Sequence, residues 1–328
     1  SIGSYEGGGM IMSEESLTVL DNIFKQNVSS INPNGAIYSF NGSYINRNAI
    51  SDLVGAGNPN YAAIQVVHNY PDANNTAWIE ENLITNCSNM SGISVENAFT
   101  IANKNTVVMS QSGNFGCSLL KFTNTQGIAG NNMLMGSNIM GMNLNYADGM
   151  YIIYNTASVE FNGNPVVSNF GMNANIMRNI FINKGTGTAM QLSSPANIDQ
   201  NIIYTTGTNL ANINGTNYAS MSAIHSAGML LKSSSVNVEF FSPSDPHLKV
   251  YNALLLFNDP LFDINTNWNA WYVENNDYDG EQRVSYYGGI DEINLSIAIE
   301  RQTEGFTDCM GATDNFLTVS SAIGYNAP

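Results

Sequence analysis

The chain has 328 residues, of which 43% are apolar and only 11% are Asp, Glu, Lys or Arg, and it carries a formal net charge of -16. Twenty-six acidic against ten basic residues exclude a nucleic-acid surface, which needs a basic face to displace phosphate counterions, and disfavour anionic lipid. Polarity carried by Asn, Ser, Thr and Gly, with a thin background of Ala, Glu, Lys and Leu, is the vocabulary of strands and turns and points to an all-β protein; no apolar run is long enough to span a bilayer.

Residues 1–16 are glycine-rich, carry the pair Glu14-Glu15 and read as the middle of a coil whose beginning is missing. Ser1-Ile-Gly-Ser-Tyr5 has neither the basic start nor the apolar core of a signal peptide, so the chain is expected to come from a longer precursor. From Leu17 onward one phrase recurs: an apolar residue, two variable ones, an asparagine, then apolar residues again. It appears as Val19-Leu-Asp-Asn22-Ile, Ile45-Asn-Arg-Asn48-Ala-Ile50, Ile79-Glu-Glu-Asn82-Leu, a weaker copy at Asn105, and then at Asn131, Asn155, Asn179 and Asn201. The spacings are 26, 34, 23, 26, 24, 24 and 22, and the 34 calls for an insertion around Asn69-Tyr-Pro-Asp-Ala-Asn-Asn75. A period in the twenties is the signature of a solenoid whose coils bury their apolar faces only against each other. The expectation is a right-handed parallel β-helix over residues 1–205, with Asn at each turn because its amide can ladder and its backbone tolerates the left-handed region. The chain holds 50 Asn, so single matches carry little; the recurring apolar flanks carry the reading.

Methionine replaces isoleucine in Asn132-Met-Leu-Met-Gly-Ser-Asn-Ile-Met-Gly-Met142, read as flexible filling of a core. After Tyr204 a polar excursion leads to Ser220-Met-Ser-Ala-Ile-His-Ser-Ala-Gly228, a short helix stopped by glycine, and to Val236-Asn-Val-Glu-Phe-Phe241, which alternates like a strand. Residues 206–292 are assigned to a last coil and cap. Residues 293–328, with Cys309-Met-Gly and Phe316-Leu-Thr-Val319, read as the start of an immunoglobulin-like module or as a tail. Cys87, Cys117 and Cys309 fit no metal spacing; the first two lie at unlike places in their coils and are expected as buried free thiols.

Candidate chemistry does not converge. A lyase needs a basic residue poised beside a sugar carboxylate and a hydrolase needs paired carboxylates on one face. The cations of the coils, Lys25, Arg47, Lys104, Lys121, Arg178 and Lys184 with His68, and the acids Asp21, Asp52, Asp72, Asp148 and Asp199, fall at unlike places in the repeat. Asp277-Tyr-Asp-Gly280 resembles the start of a calcium loop but lacks the further acids of one, and Arg283 offers ion pairing in its place. His225 and His247 have no second ligand near in sequence. The expectation is therefore no catalytic, metal or cofactor site, with Trp78 and Tyr70 as sugar platforms if the module binds glycan.

Four motifs in order, Asn201-Ile-Ile-Tyr-Thr-Thr-Gly-Thr-Asn-Leu-Ala211, Asn217-Tyr-Ala-Ser220, Ser244-Asp-Pro-His-Leu248 and Asp277-Tyr-Asp-Gly-Glu-Gln-Arg283, resemble the closing part of a family of right-handed parallel β-helix surface proteins of Bacteroidota. The chain departs from that family at Gly289-Ile-Asp-Glu292 and over Val250–Trp271. The resemblance implies very long chains exported by type IX secretion, an extracellular or cell-surface location, and a structural or adhesive role. Its partners would be surface glycans or other surface and secretion proteins, and a carbohydrate-active enzyme is the competing reading.

Overall fold

The computed structural model describes residues 10–25, 35–55, 57–69, 76–111, 116–171, 174–194, 197–238, 240–242, 245–248, 256–257 and 286–287. Outside them lie residues 70–75 of the insertion, including Tyr70 and Asp72, most of Val250–Trp271, the Asp277–Arg283 motif, Gly289–Glu292, and the whole of residues 293–328 with Cys309. The chain divides at Asp291/Glu292, and everything described belongs to the first unit.

The fold is a parallel β-helix. Three sheets, of ten, eight and eight strands, take every third strand of the chain, so that three strands make one coil and like strands of successive coils pair in parallel; the tenth strand of the first sheet, Thr216–Tyr218, is the antiparallel exception. Alternation sets the faces. In the first sheet Ile37, Ile64, Ile93, Leu120 and Met142 stand in register and are fully buried. This row and its counterparts in the other two sheets fill one continuous core along the axis. Met142 belongs to that core, whereas Met133 and Met135 sit on the outer face of the third sheet and are buried there.

The turn from the second sheet to the third is two residues long and the same in every coil. Its first residue is left-handed: Asp21, Arg47, Glu81, Lys104, Asn131, Tyr154, Arg178 and Gln200 all have φ between 52° and 57°. Its second is the asparagine of the repeat. Position 131 is thus a correction to the sequence reading, since the ladder residue of that coil is Asn132 and Asn131 holds the left-handed seat before it. The physical reason for the asparagine changes as well. It is selected for its amide, while the left-handed backbone, which costs roughly 1–2 kcal/mol for most L residues, is taken by whatever residue precedes it.

The amides form an unbroken ladder. Each Oδ1 accepts both the backbone N–H and the Nδ2–H of the asparagine one coil earlier, as Asn155 does from Asn132 at 3.0 and 2.9 Å and Asn179 does from Asn155 at 2.9 and 2.9 Å. The second Nδ2 hydrogen goes to a strand carbonyl of an earlier coil, Ala129 O in the case of Asn155. From Asn48 to Asn201 these side chains are almost wholly buried, so the ladder removes donors and acceptors that would otherwise be stranded in the core.

The C-terminal end of the coils is closed by different chemistry. Ala211–Ile213 adds the last parallel strand of the first sheet and turns through Asn214-Gly215, both with positive φ, into the antiparallel strand Thr216–Tyr218. A helix follows at Met221–Ser226, capped by Ser220 Oγ and ended before Gly228 at φ 76°, with Met221 and Ile224 buried against the core. The ladder itself ends on Ser233, whose hydroxyl accepts from Asn201 N at 3.0 Å and donates to Asp199 Oδ1 at 3.0 Å. Val236 and Val238 lie outside any strand; they cover Ile180, Ile182 and Ile202 on the third sheet, and the strand of this stretch is Phe240–Ser242, paired with Asp245–Leu248. Apolar alternation at Val236-Asn-Val238 reports one buried face, and that burial needs no ladder partner.

Candidate functional site

The outer faces of the three sheets differ. On the second sheet Tyr44, Trp78, Ile101, Ile128 and Tyr151 stand in one outward row, and Ile101 and Ile128 are buried within an apolar cluster. On the third sheet Met133, Thr156, Ile180 and Ile202 form an outward row, also buried. The first sheet begins its outward row with the exposed Met12 and from Tyr38 onward presents hydrogen-bonding side chains. Tyr38, Gln65, Ser94 and Lys121 are in register, and the row continues through Asn143, Ser168, Gln191 and Asn212. Ser94 and Ser168 are buried and the longer side chains around them are half-buried, so the row forms a partly sunken shelf.

Lys121 is the cation of this shelf. Its Nζ donates to Pro59 O and to Asn60 Oδ1, both at 3.1 Å, tying a loop two coils away to the sheet. Burial lowers the pKa of its ammonium, while the charge of Glu96 in the adjoining row works against that shift. Burial, and then Glu96, raise the phenol of Tyr38. The side-chain oxygen of Asn143 is enclosed and has no hydrogen-bond partner in the structure.

Several of the other charges serve the edges of the coil. Asp21, Arg47, Glu81 and Lys104 follow one another at the left-handed turn position and alternate in sign from coil to coil. Arg47 holds Asp21 through Nε at 2.7 Å and Nη2 at 2.9 Å, which lowers the Asp21 pKa and raises that of Arg47. Arg178, at the same position, is fully buried, with Nε donating to Gln200 Oε1 at 3.0 Å and Nη1 to Tyr154 OH at 2.8 Å. Arg47, Lys104 and Arg178 therefore occupy one place in the repeat, contrary to the expectation that the cations are scattered. The signal was available in the sequence as the residue before each ladder asparagine. Lys25 pairs with Asp52 at 3.4 Å on the third sheet's side of the coil.

Trp78 does not offer a free ring face. It stacks on Tyr44 with ring centroids 5.9 Å apart and planes within 4°, and it packs on its other flank against the cluster of Ile101. The ring nitrogen Nε2 of His225 lies 3.0 Å from Leu230 O and 3.2 Å from Ser233 O, so it carries the proton and staples the cap. Among the described residues no three His, Cys, Asp or Glu side chains group as metal ligands, and no helix is long and apolar enough to cross a membrane.

No protein-family model, curated protein or solved structure matches this chain.

Cys87 and Cys117 are free and buried, as the sequence reading expects, and burial pushes both thiols up to about 11. Below the ordinary thiol pKa of 9.0 folded and unfolded chains both hold these protons. Between pH 9 and 11 only the unfolded chain releases them, so stability falls as pH rises through that window. The expected result is alkylation by iodoacetamide that tracks unfolding: negligible labelling of Cys87 and Cys117 in native protein at pH 8, full labelling in urea, and a lower unfolding midpoint at pH 10 than at pH 8. Rapid native labelling at pH 8 contradicts this assignment.

Proposed function

We propose that the chain is a non-enzymatic structural or adhesive module, carried outside a bacterial cell as part of a large secreted surface protein. The observation that carries the reading is where the charged side chains go. Arg47, Lys104 and Arg178 line a turn edge beside Asp21 and Glu81, Lys25 is paired with Asp52, and Lys121 ties down a loop. These groups build the solenoid, whereas a hydrolase or lyase needs them gathered around one bond. Such a solenoid supplies length and a repeated lateral surface, which suits a stalk or an adhesive face. The resemblance of the closing motifs to bacterial β-helix surface proteins supports the location, since a fold alone does not fix a function.

Two measurements test the proposal. Incubation with neutral and acidic polysaccharides is expected to leave their size distributions unchanged, and any depolymerisation overturns the non-enzymatic reading. Beads coated with the module are expected to attach to cell surfaces or to glycan-coated plates more than beads coated with albumin do. Equal attachment removes the adhesive half of the proposal.

A further inference from the structure

We infer that the outer face of the first sheet is the adhesive face, and that its ligand is a linear, neutral, hydroxyl-rich polysaccharide lying along the solenoid axis. The inference rests on the adhesive reading above and adds to it a ligand class and a place. The row from Tyr38 to Asn212 stacks at the strand spacing of about 4.8 Å over about 34 Å and offers its half-buried hydrogen-bonding side chains in adjacent pairs, Tyr38 with Gln65, Lys121 with Asn143 and Gln191 with Asn212, the buried Ser94 and Ser168 lying between the pairs. A partner that uses such a row must repeat at a similar step in the same direction. An extended β-linked sugar polymer does so, presenting hydroxyls at every unit. A peptide added as a β-strand would instead run across the axis and would need an unpaired edge, which the face of a sheet lacks.

The chemistry of the row selects among polysaccharides. Gln65 and Gln191 carry primary amides, each able to donate and accept at once, which matches a hydroxyl that does the same; the Asn143 oxygen is enclosed, and Asn212 Nδ2 already donates to Asn217 Oδ1 at 2.6 Å. Tyr38 adds an aromatic ring at the end of the row nearest the first coil. Polyanions are disfavoured: Lys121 is the row's cation, its ammonium is already held by Pro59 O and Asn60 Oδ1, Glu96 lies in the next row, and the chain carries a net charge of -16. The other two outer faces are apolar in their middle coils and already covered, which leaves the first sheet as the polar one.

Calorimetric titration with linear neutral polymers (xylan, mannan and mixed-linkage glucan) and, as charged comparators, pectate and alginate tests this. At least one neutral polymer is expected to bind saturably, with affinity rising with oligomer length until the chain spans the face, and the polyanions are expected to bind more weakly. The double variant Gln65→Ala/Asn143→Ala is expected to lose about tenfold in affinity, and Gln191→Ala a smaller factor, with thermal midpoints kept. Tyr44→Ala, on the second sheet, should leave binding unchanged. The inference is overturned if no neutral polymer binds, if polyanions bind best, or if the folded row variants bind like the parent. Bead attachment separates the two claims: variants that still attach as well as the parent sink the first-sheet assignment and leave the adhesive reading standing, whereas a parent that fails to attach removes that reading itself.

Discussion

Asn132→Ala is expected to destabilise the protein by about 3–5 kcal/mol, the cost of stranding several buried hydrogen-bonding groups at once. The side chain donates to Ala102 O and Asn155 Oδ1, each at 2.9 Å, and accepts from Asn105 N and Nδ2, each at 3.0 Å. Alanine leaves all four of those partners short of a bond in a region closed to water. Asn132→Asp keeps the shape but turns the donor edge into an acceptor facing Ala102 O and Asn155 Oδ1, so it is expected to be at least as harmful. The control is Asn22→Ala at the first described rung. That side chain is exposed, and water can replace its bonds, so a loss below about 1 kcal/mol is expected. Urea denaturation checks the magnitudes. Hydrogen exchange checks the location, with the amides of Asn105 and Met133 losing protection first, because coils of a solenoid depend on their nearest neighbours. An Asn132→Ala protein as stable as the parent would mean that the ladder is ornamental and that core burial alone sets the turn.

Gly127→Ala is expected to be as severe or worse, at about 4 kcal/mol or more, with loss of soluble protein as the practical readout. Gly127 pairs with Thr100 inside the second sheet at φ 116°, and a Cβ there would sit 1.9 Å from Thr100 O and 2.8 Å from Thr100 N. The obstacle is backbone held by its own ladder, and Thr100 is itself fixed by a buried bond from Oγ1 to Ala77 O at 3.0 Å. Gly163→Ala separates the two contributions. Its φ is 79° but nothing lies within 4 Å, so it is expected to cost only the conformational penalty of about 1–2 kcal/mol. If both substitutions cost the same, close approach between coils is not what requires glycine at position 127.

The two predictions bear on different layers of the design. The asparagine ladder satisfies polar groups along one edge of every coil, and the glycine admits one coil's backbone against the next. Both are consequences of stacking strands at a fixed spacing, and both are independent of any ligand. In the shelf of the first sheet such duties fall to Lys121, which tethers a loop, and to Asn212, which bonds Asn217 across the closing hairpin, so substitutions at Gln65 or Asn143 can be read as changes in recognition.

The sequence by itself determined the architecture, because a solenoid is periodic along the chain: the apolar residues flanking each asparagine announce a coil, and the step between them announces its length. The buried thiols of Cys87 and Cys117, the glycine-stopped helix at Met221–Ser226 and the asparagine edge were legible for the same reason, each being a local pattern with a local cause. The tertiary structure decided what depends on register between coils. Asn131 and Asn132 both satisfy a pattern that allows one or two residues of play, and only the ladder geometry tells which amide faces its neighbours and which residue takes the left-handed backbone. The alternating charges at Asp21, Arg47, Glu81 and Lys104 each stand one residue before a ladder asparagine, a shared place that was legible in the sequence, and stacking put them one above another in a single row. The polar shelf was not legible: Tyr38, Gln65 and Lys121 are separated by unequal stretches of chain, and only parallel pairing of the strands puts them one above another on a single face.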